Sequence, residues 1–257
     1  AIYGARAANG VILVTTKRGK EGKVKLNYSG NVSFSQPTRV PKMLNAYQYA
    51  TYVNEFDAAQ GISLTYPETA LTKIKDGSDP INYPDTNWWN AVAKDWATNT
   101  EHSLAISGGN EKISFYSSAQ YMYQDVIYKN SPQNYNQYQF STNLDAKITK
   151  AIKFGFDILG RQTVDNRGVR TTEDLFSYFL TTSPMSAPYY PNGLLRTGYD
   201  GITNNAVLMV SDLPGTSKTT NNTLNLKPKI RIDLDVITPG LYAEGYAALD
   251  YTFNNGK

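Results

Sequence analysis

The sequence predicts an all-β fold: about seven long antiparallel strands forming an open, curved section of a large transmembrane β-barrel, with short helices in long extracellular loops. Three observations predict it. Apolar and polar residues alternate with period two through seven separate stretches. Most stretches run about ten residues or more, above the five or six usual in soluble sheets and near the 9–11 that cross a bilayer. The connections between them alternate between short and long, which in an up-and-down sheet sorts turns to one edge and loops to the other.

The first stretch sets Val24, Leu26, Tyr28, Val32 and Phe34 against Lys23, Lys25, Asn27, Ser29, Asn31 and Ser33. The second, about Glu101 to Ser107, carries Leu104 and Ile106 on its apolar side. In the third, Ile113, Phe115, Ala119, Tyr121 and Tyr123 oppose Ser114, Ser118, Gln120 and Gln124. Tyr138, Phe140, Leu144, Ala146 and Ile148 mark the fourth, and Ile152, Phe154, Phe156 and Ile158 the fifth. The sixth runs from Leu224 through Ile230 and Ile232 to Val236, and the seventh from Leu241 to Phe253. Short turns at Gly108–Glu111, Thr149–Ala151 and Thr238–Gly240 join strands two to three, four to five and six to seven. The longest connections are about Gln36–Thr100 and Thr163–Asn221.

A soluble antiparallel sheet with one wet face also alternates. It has no reason to sort its loops, and aromatic placement separates the two readings. Phe34, Tyr121, Tyr123, Tyr138, Phe140, Tyr251 and Phe253 share the apolar parity and fall at the long-loop end. Phe115 and Phe154 fall at the short-turn end, as paired interfacial girdles require. Tyr28 and Phe156 lie nearer mid-strand, outside that pattern. The polar parity is expected to line a wide lumen.

Composition excludes much chemistry. Among 257 residues there are 20 Tyr, no Cys and one His, so thiolate metal sites and a cysteine nucleophile are absent and a Ser–His–Asp triad has little support. No enzyme, cofactor or metal is expected. A net charge of +3 is too small to imply nucleic acid. The basic run Lys17, Arg18, Lys20, Lys23 and Lys25 lacks interleaved aromatics and reads as a periplasmic hinge. Acidic loop residues such as Asp165, Glu173 and Asp174 have no ligand spacing and read as solvated charge. The chain reads as a fragment: it starts at Ala1 without a signal peptide and stops just past a strand pattern.

Two helices are expected in the loops. Asn45 to Gln60 has Asn45 as a cap, Gly61 as a stop and Tyr49, Tyr52, Val53 and Phe56 as a stripe that packs on the loop. Thr172 to Leu180 places Leu175, Phe176 and Phe179 on one side. Flat aromatic faces stack on sugar rings, which makes Trp88, Trp89, Trp96, Tyr189, Tyr190 and Tyr199 the candidate substrate-binding residues. Packing is the competing role for each, and adjacent tryptophans split so that at most one of Trp88 and Trp89 is available. Prolines on both sides of Tyr189-Tyr190 indicate a stiff turn.

The N-terminal Ala-Arg-Ala-Ala-Asn-Gly (Ala5–Gly10), followed by Val11–Thr16 and Lys17-Arg18-Gly19, resembles the end of the plug domain in TonB-dependent receptors of the SusC/RagA family. The resemblance continues at Met43–Phe56, Asp76–Pro80, Thr86-Asn87-Trp88-Trp89, Ser107–Glu111 and Ser183–Gly193. Asn87 stands where family members often have Asp, and Ala5 where they have Ser. The resemblance implies that residues 1–20 end a plug and 21–257 begin a 22-stranded barrel in the bacterial outer membrane. It further implies TonB as the energising partner, a SusD-like surface lipoprotein as a cap, and an oligosaccharide or peptide as cargo. A passive porin or adhesin barrel and a soluble carbohydrate-binding β-domain are the alternatives. The last requires the tyrosine-rich strand face to pack on a second layer. Residues 1–20 are expected to extend from the short-turn edge.

Overall fold

A computed structural model describes residues 16–197 and 205–256. Its main body is one eight-stranded antiparallel sheet. The strands are β1 Gly22–Ser35, β2 Ala97–Gly109, β3 Ile113–Asp125, β4 Asn134–Lys147, β5 Ile152–Gly168, β6 Thr216–Asp233, β7 Tyr242–Tyr246 and β8 Leu249–Gly256. Each pairs with its neighbour in sequence, except that β7 and β8 both pair with β6. The sheet is open, since β1 does not pair with β7 or β8. Among the described residues five helices lie in its long connections: α1 Ala46–Gln60, α2 Glu68–Asp76, α3 Trp88–Val92, α4 Thr172–Thr181 and α5 Ala206–Val210.

The seventh expected strand is two strands in a single register. Pairings Leu226↔Leu249 and Lys229↔Tyr246 belong to the same alignment, and only Lys227-Pro228 opposite Ala247-Ala248 is missing. Pro228 has no N–H to give Ala247, so the ladder loses a bond there. Its carbonyl still accepts from Ala247 N at 3.1 Å. β6 also ends earlier than the alternation indicates. Leu234 N bonds Leu241 O at 2.8 Å, and Asp235 accepts from Gly240 N at 2.7 Å. With Gly240 at φ 81°, these bonds close the turn and leave Val236 94% exposed outside the strand.

The registers carry the alternation across the whole sheet. Tyr28, Leu104, Ala119, Phe140, Gly160, Leu224 and Tyr251 form one row on one face. That face is uncovered: Leu26, Tyr28, Val32, Phe34, Leu104, Tyr138, Phe140, Ile230, Leu249, Tyr251 and Phe253 are all exposed. Among the described residues no second layer packs on it, so the packing that the soluble β-domain requires is not met there. Tyr121 and Tyr138 are cross-strand neighbours with ring centroids 5.1 Å apart. Tyr28, the mid-strand exception, shares a 2.8 Å hydrogen bond with His102 Nδ1 on the same face. Its hydroxyl thus has a partner in an otherwise apolar belt.

The expected helices form, but α1 packs by a different face. Asn45 and Gln48 complete a capping box, and Gly61 closes the helix at φ 69°. The buried side is Ala46, Ala50, Asn54 and Asp57, whereas Tyr52 is 63% and Phe56 56% exposed. The small alanines meet Ile74 of α2. Asn54 then both donates to Tyr66 O (2.7 Å) and accepts from Tyr66 N (2.9 Å), while Asp57 accepts from Thr65 N (2.8 Å). Buried polar side chains clamp the following loop, a role that the hydrophobic pattern does not register.

Residues 16–20 differ from expectation as well. They do not project from the short-turn edge but cross the polar face of the sheet, because Arg18 finds its partners on β4 and β5. The N-terminal motif through Thr15 lies outside the described residues.

Candidate functional site

Three long connections converge beyond one edge of the sheet and build a lobe with its own dry core. Trp88 and Val92 come from the β1–β2 connection, Tyr128 from β3–β4, and Leu175, Phe179, Ala206, Met209 and Val210 from β5–β6. Backbone bonds stitch them together: Lys94 N to Ile127 O at 2.7 Å, Lys129 N to Val92 O at 2.7 Å, and Thr86 N to Pro184 O at 2.8 Å. Asn87 caps α3 through Asn90 N, so the Thr86–Trp89 stretch is a helix start. α4 starts on a reciprocal Thr171–Asp174 box, whose hydroxyl and amide hydrogen bonds hold the Asp174 carboxyl below the usual carboxylate range.

The lobe sorts the candidate aromatics. Trp88 is 2% exposed and gives its indole N–H to Ser183 O at 3.0 Å. A ring so enclosed offers no face to a sugar, so Trp88 serves the core. Trp89 lies at the core's margin, its ring 6.3 Å from Phe176 and 6.2 Å from Phe179. A narrow cleft separates it from Val40, Pro41 and Met43. Trp96 is half exposed just before β2. Tyr189 and Tyr190 are similarly exposed on a tight turn, with Tyr190 N bonding Leu194 O (2.8 Å) and Gly193 at φ 83°. Arg196 lies 5.5 Å over the Tyr190 ring, and Asn205 ties the turn to α5 through Pro188 O and Arg196 O. Tyr199 lies outside the described residues.

Below the lobe, the polar face divides along the strands. Its half nearer the loops is rich in amides and hydroxyls, with rows Ser103–Gln120–Gln139–Arg161–Thr223 and Glu101–Met122–Gln137–Thr163–Asn221. At the loop edge a polar recess of about 600 Å³ includes Gln124, Tyr135, Asp165, Asn166, Arg167 and Arg170. The half nearer the short turns is charged and largely self-paired. Arg18 binds both oxygens of Asp145 (3.1 and 3.0 Å) and reaches Asp157 at 2.9 Å. Lys229 joins both carboxylates at 3.4 and 3.6 Å. Its stem lies over Gly155, its register partner, where any Cβ would overlap it. Lys153 and Arg231 share Asp233 at 2.6 and 2.8 Å.

No family model matches the chain. It is 34% identical over 161 residues to TonB-dependent receptor P26 of Formosa agariphila, covering 62% of this chain and 15% of that protein. It is 32% identical over 145 residues to TonB-dependent receptor SusC of Bacteroides thetaiotaomicron, covering 56% of this chain and 13% of that one. The chain is a relative of the SusC-type TonB-dependent receptors. It spans 13–15% of the length of these curated relatives. In fold, the sheet and lobe match a chain of the RagAB peptide importer in its closed-closed state, with a TM-score of 0.72 at 21% identity, covering 99% of this chain and 31% of that chain. A second RagAB peptide transporter structure gives 0.73 at 20% identity.

Sequence reasoning missed the charged patch of this SusC relative. Arg18 and Asp145 are 127 residues apart, and a basic run beside an acidic strand residue carries no spacing signal. It also missed the polar recess, whose residues meet only through strand register. The readable hint was parity: Gln120, Gln137, Gln139 and Asp157 all stand on the polar side of their strands.

Proposed function

We propose that this chain is the wall-and-loop section of an energy-coupled importer of the bacterial outer membrane, residues 1–20 ending its plug and 21–257 beginning its barrel. The protein takes up a nutrient, foremost an oligosaccharide and otherwise a peptide, powered by TonB and capped by a SusD-like lipoprotein. One observation carries the reading. Among the described residues no second layer covers the apolar parity of the eight-stranded sheet, while the packing lies in the loops at one edge. Such a face is at home in lipid, where strands must satisfy every backbone group through their neighbours. The kinship with TonB-dependent receptors supports the energised rather than the passive form. The exposed faces of Trp96, Tyr189 and Tyr190, with Trp89 at the lobe margin, favour a cargo that stacks on aromatic rings.

The test is uptake of fluorescent oligosaccharides and peptides by cells carrying or lacking the complete gene. Import should require the gene, TonB and the proton-motive force. Uptake that persists after TonB removal would make the barrel a passive pore.

A further inference from the structure

Residues 16–19 are held on the wall by three independent devices. Charge is the first: Arg18 spans β4 and β5 through Asp145 and Asp157, and Lys229 from β6 braces the same two carboxylates. Backbone recognition is the second, because Asn143 is 6% exposed and gives its amide to Lys17 O at 2.6 Å. Shape is the third. Gly19 lies flat against the backbone of Phe115 in β3, where any Cβ would collide with main-chain atoms that cannot yield. Three strands and a fourth-strand brace therefore converge on four consecutive residues. A hinge loop that merely links two bodies needs no such convergence.

We infer that Thr16–Gly19 is a fixed anchor: a seat on the inner wall that keeps this segment in place, so that any displacement of the chain before it stops at Arg18. The seat turns a run of basic residues from a hinge into a stop. Two of its parts cooperate through a partly covered ion cluster, where opposite charges within about 4 Å couple more strongly than on an open surface. The inference rests on the importer reading only in its energised arm below.

The sequence has no cysteine, so single introduced thiols report without background. In the complete receptor in detergent, a nitroxide on Lys17→Cys should give an immobilised spectrum, since the backbone is pinned while the side chain is exposed. Adding Arg18→Gln should raise the mobile fraction several-fold, Arg18→Lys less so, and Gly19→Val as much as Arg18→Gln with every charge intact. Heat-modifiable gel migration checks that each barrel is folded; if Gly19→Val fails this check, the two Arg18 variants decide. An unchanged spectrum in the Arg18 variants overturns the anchor. In cells, a Lys17→Cys/Tyr116→Cys pair, on the two sides of one recess, should react with a short bis-maleimide cross-linker at the same rate with and without a protonophore. A several-fold slower rate in energised cells would make the segment a releasable latch and overturn the inference. Should the importer reading fail, the rate is constant for a trivial reason, and the spectral arm still decides.

Discussion

The sheet and the loop lobe both carry large apolar side chains and use them in opposite ways. In the lobe, Val92, Leu175, Met209 and Val210 are almost fully buried, and even Trp88 is enclosed. In the sheet, side chains of the same kind, Leu26, Val32, Phe140 and Leu249, stand exposed along one parity. The lobe is folded against water and the sheet is not. Where a region leaves its regular apolar face bare, the missing partner is a solvent, and lipid is the solvent that suits a bare face on strands of 13–18 residues such as β2 to β6.

Five substitutions in the complete protein break or sharpen that contrast. The largest effect is expected for Trp88→Ala, which removes a buried ring and its bond to Ser183 O. It should cost the lobe about 3–5 kcal/mol and open the connections to protease, while heat-modifiable migration of the barrel is retained. A barrel that fails to assemble would show that lobe and sheet fold as one unit.

Next comes Leu144→Arg, on the bare parity of β4 beside Phe115 and Phe156. A midplane lipid-facing arginine costs roughly 2–4 kcal/mol, measurable by folding into vesicles of defined lipid. Gln139→Arg, on the polar parity, should cost far less. Asn143, also on that parity, is unsuitable as the control, because it is buried against Lys17. Equal losses at Leu144 and Gln139 would reverse the assignment of faces.

Asn54→Ala should weaken the α1 clamp by about 1–3 kcal/mol, leaving Tyr66 N and O without their partners. Faster hydrogen exchange confined to residues 46–76 is the readout. The smallest effect is expected for Tyr52→Ala. It is 63% exposed on the same helix, and its loss should change stability by less than about 0.5 kcal/mol. A larger loss would mean that Tyr52 packs on a part of the receptor beyond this section.

By itself the sequence determined the sheet, its sequential order, its two faces and the sorting of its loops. Each of these follows from short-range alternation and from turn residues, which act within a few positions of themselves. The caps of α1 were legible for the same reason, with Asn45 and Gly61 signalling locally. Tertiary structure decided what depends on distant partners. It chose Trp88 over Trp89 for the core and turned α1 by its polar side toward the loop. Gly155 made room for Lys229, and Arg18 came to rest between Asp145 and Asp157. Those outcomes depend on which strand lies beside which and on how closely backbones approach. Register and packing set both, at separations where a linear pattern carries no signal.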